Sequence, residues 1–200
     1  MVVINIFTSL FFLFFVSFIL TIISFFIEIK YPFIRKKNGD FLYANYNILL
    51  IRFLHYITFF YFCFYYLFFD KKYDFIFLIT YFLIIYKWII TDKCVFTDME
   101  NEEYLKISKE EEIIFITKKE TKNKHPHYII FFRNYADYAV LFQCFFMTVC
   151  LFIVLNRFVS TTNNFFSKKY LNYYIFSCFS LIQIYLLTKD RMYIFQGEKE

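Results

Sequence analysis

Apolar residues run almost without interruption through Met1–Ile27, a stretch that holds no charged side chain. Stretches of similar character follow at about 46–69, 75–91, 138–156 and 170–188, with charged residues gathered at their edges. A helix needs about 20 apolar residues to cross a hydrocarbon core of about 30 Å. The pattern therefore predicts an all-α fold, a polytopic transmembrane helix bundle of about five spans with a short charged water-facing segment. Residues 1–91 would hold spans one to three, 92–137 the charged segment, and 138–200 spans four and five with a short tail. The first stretch has neither a basic leader nor a small-x-small cleavage site, so a retained helix is expected rather than a signal peptide.

Composition supports this pattern. The chain is 60% hydrophobic with 2 Gly and 2 Pro, whereas soluble domains are about 45–50% apolar and richer in both. A single water-soluble core is thereby disfavoured. Phe, Ile, Tyr, Lys and Asn fill 109 of the 200 positions, and all five are encoded by A/T-rich codons. The Phe excess thus reads as genomic bias, fitting an A/T-rich protist, an organellar genome or a large DNA virus.

Charge sets an expected orientation. Alternation through five spans puts Lys71, Lys72, Arg157, Lys168 and Lys169 on one face. The opposite face receives Lys30, Arg35, Lys36, Lys37, eight bases of the 92–137 segment, and Lys189, Arg191 and Lys199. By the positive-inside rule the amino terminus is expected outside or in a lumen, and the carboxy terminus in the cytosol. Because these bases cluster at the ends of apolar runs, the net charge of +5 fits membrane topology rather than nucleic-acid binding.

The 92–137 segment mixes ten acids with eight bases and is too short for an independent enzyme domain. Its apolar run Ile113–Ile116 fits either a strand or one side of a surface helix. Tyr128–Asp137 reads as an approach helix to span four, with Arg133 and Asp137 spaced to pair.

Charged side chains inside apolar spans are costly, at about 2.5–3.5 kcal/mol each near the bilayer centre, and here they are not scattered. Glu28 ends span one, Arg52 and His55 lie in the early turns of span two, and Lys87 lies in the last turns of span three. In the expected topology all four fall near the cytosolic interface. One reading has Arg52 and Lys87 snorkel to the headgroups beside a belt formed by Trp88 and nearby tyrosines. The other makes Glu28, Arg52, His55 and Lys87 a ligand-binding pocket for an anionic headgroup or small molecule, with Glu28 as the partner of Arg52 or Lys87.

The five cysteines form no Cys-x-x-Cys pair, and His125 and His127 lack a nearby cysteine or carboxylate cluster. Neither a metal site nor a cofactor is predicted. No catalytic constellation is predicted either, since no histidine lies near Cys94 in sequence to activate it.

After span three, Thr97 and Glu100 stand in the spacing of a capping box, which predicts a short helix over about 98–107. Trp88, Cys94, Thr97 and Glu100 also carry a likeness. The segment resembles a family of small, functionally uncharacterised integral membrane proteins in which a Trp near the end of a span precedes Cys-Pro-Leu-Thr-x-x-Glu. It is also similar to Cys-x-Leu-Thr-x-x-Glu sequences in membrane proteins of large DNA viruses. Val95 and Phe96 replace the Pro and the Leu. The likeness covers about 14 residues and implies a membrane location but no activity.

The leading expectation is a non-enzymatic accessory or structural membrane component that packs with lipids and other membrane subunits. The alternative is a small transporter or lipid-binding protein using the polar layer of spans one to three.

Overall fold

The computed structural model describes residues 6–36, 38–91, 94–109, 114–115, 130–132, 136–161 and 177. Five helices dominate them: α1 (Ile6–Lys30), α2 (Tyr46–Phe68), α3 (Asp74–Thr91), α4 (Val95–Ser108) and α5 (Ala136–Thr161). Four of the five expected apolar stretches are therefore helical. Apart from Ser177, the fifth, 170–188, lies outside the described residues, as do the expected pairing of Arg133 with Asp137 and the His125–His127 segment. Among the described residues two helical stretches are long and apolar enough to cross a membrane, Phe7–Lys30 and Tyr46–Phe68, and Phe142–Phe158 is a shorter apolar one.

Local chemistry explains the boundaries. Helix α1 stops at Lys30, just ahead of Tyr31–Pro32, because a residue before proline is pushed out of helical geometry. Asn45 caps α2, its Oδ1 accepting the Ile48 N–H at 3.0 Å, which satisfies one of the free donors of the first turn. A 3-10 turn, Lys71–Tyr73, then leads into Asp74, whose carboxylate suits the positive end of α3.

The all-α expectation misses a small sheet. Strands β1 (Ile34–Arg35), β2 (Phe41–Leu42) and β3 (Ile114–Phe115) form an antiparallel sheet in the order β2-β1-β3. Ile34 pairs with Leu42 on one side and Phe115 on the other. Gly39, at φ +96°, makes the reversal between β1 and β2 that a side chain would strain. The Ile113–Ile116 run thus contributes a strand, not a helix face.

The chain divides into two compact units. One comprises Met1–Phe12, Phe59–Asp92 and Leu141–Glu200, and the other Leu13–Thr58 and Lys93–Val140. The core of the first is aromatic: Tyr65 stacks on Phe69 and Phe77, with ring centroids 4.9 and 4.4 Å away. Cys150, Leu151 and Val154 of α5 belong to the same core. An ion pair adds to it, as Arg157 donates Nε to Asp74 Oδ2 at 2.8 Å and Nη2 to Asp74 Oδ1. Its Nη1 donates to the Phe69 carbonyl at 3.1 Å, so one guanidinium both pairs a carboxylate and caps the end of α2. The core of the second unit gathers Phe33, Ile34, Leu42, Ala44, Ile48, Tyr104 and Ile130.

Helix α1 is inverted relative to a helix of a water-soluble protein. Its buried positions are Ser9, Leu13, Ser17, Thr21, Ser24 and Glu28, spaced three or four apart along one stripe. Its exposed positions include Phe7, Phe11, Phe15, Phe18, Ile22 and Phe26, with Phe7 75% and Phe26 63% exposed. The exposed side of α3 is likewise apolar, through Phe75, Ile79, Phe82, Leu83, Tyr86 and Ile90.

Candidate functional site

Within the second unit, α1, α2 and α4 each deliver polar side chains to one buried cluster. Helix α1 contributes Glu28, the last buried residue of its polar stripe. Helix α4 contributes Thr97, Glu100, Tyr104 and Ser108, again three or four apart and all buried. Arg52 joins both stripes from the second turn of α2.

Arg52 is 0% exposed, and each of its guanidinium nitrogens donates a hydrogen bond. Nη1 donates to Glu28 Oε2, Nε to Glu100 Oε1, and Nη2 to the Tyr104 hydroxyl, each at 2.6 Å. The Tyr104 hydroxyl in turn donates to Glu28 Oε1 at 2.6 Å, and the Ala44 N–H donates to the same oxygen at 3.0 Å. The rings of Phe33 and Tyr104 lie 5.9 and 6.0 Å from the guanidinium carbon. Snorkelling does not describe this arginine. Two carboxyl groups from other helices and flanking aromatic rings hold it in place, so it has no need to reach solvent.

The two carboxyl groups differ. Three donors converge on Glu28, from Arg52, Tyr104 and the Ala44 N–H. Glu100 accepts from Arg52 through one oxygen, while its Oε2 is buried with no partner among the described residues. Burial raises the Glu100 pKa above the ordinary carboxyl range, with Arg52 opposing the shift. Two carboxyls sharing one buried cation oppose each other's ionisation, and Glu28 adds to the rise at Glu100. Burial likewise raises the Tyr104 hydroxyl well above its usual range, which keeps it a donor to Glu28.

His55, one turn beyond Arg52 on α2, faces a different residue. Its Nε2 lies 3.7 Å from Cys94 Sγ, and its ring stacks on Phe96 at 5.2 Å. No histidine lies near Cys94 in sequence, but the docking of α4 on α2 brings His55, 39 positions earlier, into contact with it. Cys94 is the N-cap residue of α4.

The capping box does not form. Helix α4 begins at Val95, three residues before the expected start, so Thr97 lies inside the first turn rather than at the cap. The Glu100 carboxyl is drawn to Arg52, where an ionic hydrogen bond in a dry site outweighs a bond to a free backbone N–H. At the other end Lys109 adopts a left-handed conformation and its N–H returns to the Leu105 carbonyl at 3.1 Å.

The structure thus brings Glu28, Arg52, His55, Cys94, Thr97 and Glu100 into one unit. Lys87 and Trp88 belong to the other, Lys87 exposed and Trp88 half-buried against the Tyr65–Phe77 core. The sequence reading missed Tyr104 and the Asp74–Arg157 pair. Tyr104 carried a usable signal, since it continues the Thr97–Glu100 spacing by one more turn. Among the described residues no group of three or more His, Cys, Asp or Glu is placed to hold a metal ion.

Comparisons with known protein families, with curated proteins and with solved structures find no match.

Proposed function

We propose that this chain is a multi-pass integral membrane protein of about five spans that acts as a non-enzymatic accessory or structural component, packing with lipids and other membrane subunits. The inverted α1 carries this reading. A helix that buries Ser9, Ser17, Thr21, Ser24 and Glu28 while presenting a row of phenylalanines outward suits hydrocarbon as its solvent and is a poor arrangement in water. Small polar residues on a buried face allow close helix approach where lipid supplies no hydrophobic drive between helices.

The orientation remains as argued from the bases, with the amino terminus outside or lumenal and the carboxy terminus cytosolic. The likeness carried by Trp88, Cys94, Thr97 and Glu100 is consistent with a viral membrane, and the A/T-rich composition with a viral or organellar one. The saturation of Arg52 by Glu28, Glu100 and Tyr104 favours the accessory role over the alternative, a small transporter or lipid-binding protein. An arginine with every nitrogen already engaged offers little to an anionic headgroup.

The test is native mass after gentle extraction. Recovery in an assembly with other membrane proteins is the expected outcome. A small homo-oligomer that co-purifies with a defined lipid would replace the accessory role with the lipid-binding one.

A further inference from the structure

Cys94 differs from the other described cysteines. Cys63, Cys144 and Cys150 are buried, whereas Cys94 is partly open to solvent. Its sulfur lies within hydrogen-bonding range of His55 Nε2. The imidazole is itself only 5% exposed and clamped by the Phe96 ring, so it is held in place rather than free to swing away. Glu100 acts electrostatically on His55, and its Oε2 is buried without a partner among the described residues. Burial raises the Cys94 thiol pKa, while the amides of Thr97 and Phe96 and the Thr97 hydroxyl pull the other way. The resting pair is therefore a neutral thiol beside an imidazole, which needs a general base at the moment of attack.

We propose that Cys94 is an acyl-accepting nucleophile, with His55 as its general base, and that its co-substrate is a fatty-acyl thioester. His55 Nε2 takes the S–H proton as sulfur attacks the carbonyl carbon. A new C–S bond forms to Cys94, the donor C–S bond breaks, and the departing thiolate recovers the proton from His55. No oxidant or reductant enters.

The acyl class of the co-substrate rests on the membrane reading, because Cys94 follows the end of α3 by three residues. Beside it on α4, Val95 and Met99 are 39% and 42% exposed and share one face. They form a short apolar track along which a bound chain would lie. Acylation would tether the start of α4 to the bilayer.

The experiment uses the full chain in detergent micelles with an alkyne-tagged palmitoyl thioester, read by peptide mass and by release with hydroxylamine. The expected label is hydroxylamine-labile, sits on Cys94, and is absent from Cys94→Ser. It forms at least about tenfold faster than on a free cysteine peptide, within the usual range of base assistance, and at least about tenfold faster than in His55→Gln. Should that variant fail to fold, the unmodified chain still decides. Base assistance by an imidazole gives a rate that levels off at a pH below the thiol range, whereas an unassisted thiol gives one that climbs through it. A Cys94 rate no faster than the peptide's, a rate climbing throughout, or undiminished labelling of folded His55→Gln would overturn the proposal. Release of the chain from membranes by alkaline carbonate would instead overturn the membrane reading, and persisting His55-dependent acylation would still support Cys94 as nucleophile.

Discussion

Arg52 and Glu28 meet at 2.6 Å with neither side chain reaching solvent, and the same guanidinium holds Glu100 at 2.6 Å on its other edge. This pairing of one cation with two carboxyl groups makes the cluster sensitive to which member is removed.

Arg52→Leu would leave Glu28 and Glu100 facing each other in a dry site. Breaking a buried pair in this way typically costs about 3–5 kcal/mol. The variant Glu28→Leu/Arg52→Met/Glu100→Leu, which removes all three ionisable groups, should be distinctly more stable than Arg52→Leu alone. Thermal unfolding of the variants in one detergent compares them, and a triple variant weaker than the single would refute the account.

Glu100 should contribute a pH dependence of definite sign. Its pKa is raised on folding, so the folded state binds the extra proton. The associated stability is present below the ordinary carboxyl pKa, about 4.3, and is lost as pH rises through the raised value. Glu100→Gln, which mimics the protonated acid, should flatten that decline. Parallel curves of melting temperature against pH for the two proteins would sink the assignment.

Arg157→Lys keeps the charge but cannot both grip the two Asp74 oxygens and cap α2. The loss of hydrogen bonds to a charged group predicts a destabilisation of about 1.5–3 kcal/mol. In a double-mutant cycle with Asp74→Asn the two effects should be strongly non-additive. Simple additivity would mean the contact is energetically idle.

The two faces of α1 should respond oppositely to substitution. Phe18→Arg places a charge on the exposed stripe, and near the bilayer centre this costs about 2.5–3.5 kcal/mol, lowering the carbonate-resistant membrane fraction. Ser17→Phe should leave that fraction unchanged yet overpack the buried stripe, lowering stability by about 1–3 kcal/mol. If Phe18→Arg inserts normally, α1 does not face lipid.

Helix positions were legible because hydropathy and length are local properties. The stretches expected at 46–69 and 75–91 became Tyr46–Phe68 and Asp74–Thr91, and charge alone left Glu28 to pair with Arg52 or Lys87, of which it meets Arg52. The misread parts depend on contacts distant in sequence. Thr97 and Glu100 have the spacing of a capping box, but the same spacing also defines one face of a helix. Only the arrival of Arg52 from 48 residues away decides that Glu100 turns inward. The approach of His55 to Cys94 and the pairing of Ile34 with Phe115 leave no periodic trace. In α1 the hydropathy is so uniform that its rarer serines and threonines, rather than its phenylalanines, mark the inner face.

The carboxylate at the end of α1 also has a bearing on biosynthesis. Arg52 emerges from the ribosome 24 residues after Glu28 and well before Glu100, so during synthesis Glu28 is the only member of the eventual trio available to neutralise it. Entry of α2 into a bilayer as a lone helix would carry an uncompensated cation, whereas entry together with α1 as a hairpin would bring its counter-ion along. Under the proposed membrane reading, the first two helices would therefore be delivered to the insertion machinery as a pair, with α4 closing over them only after translation has passed Tyr104.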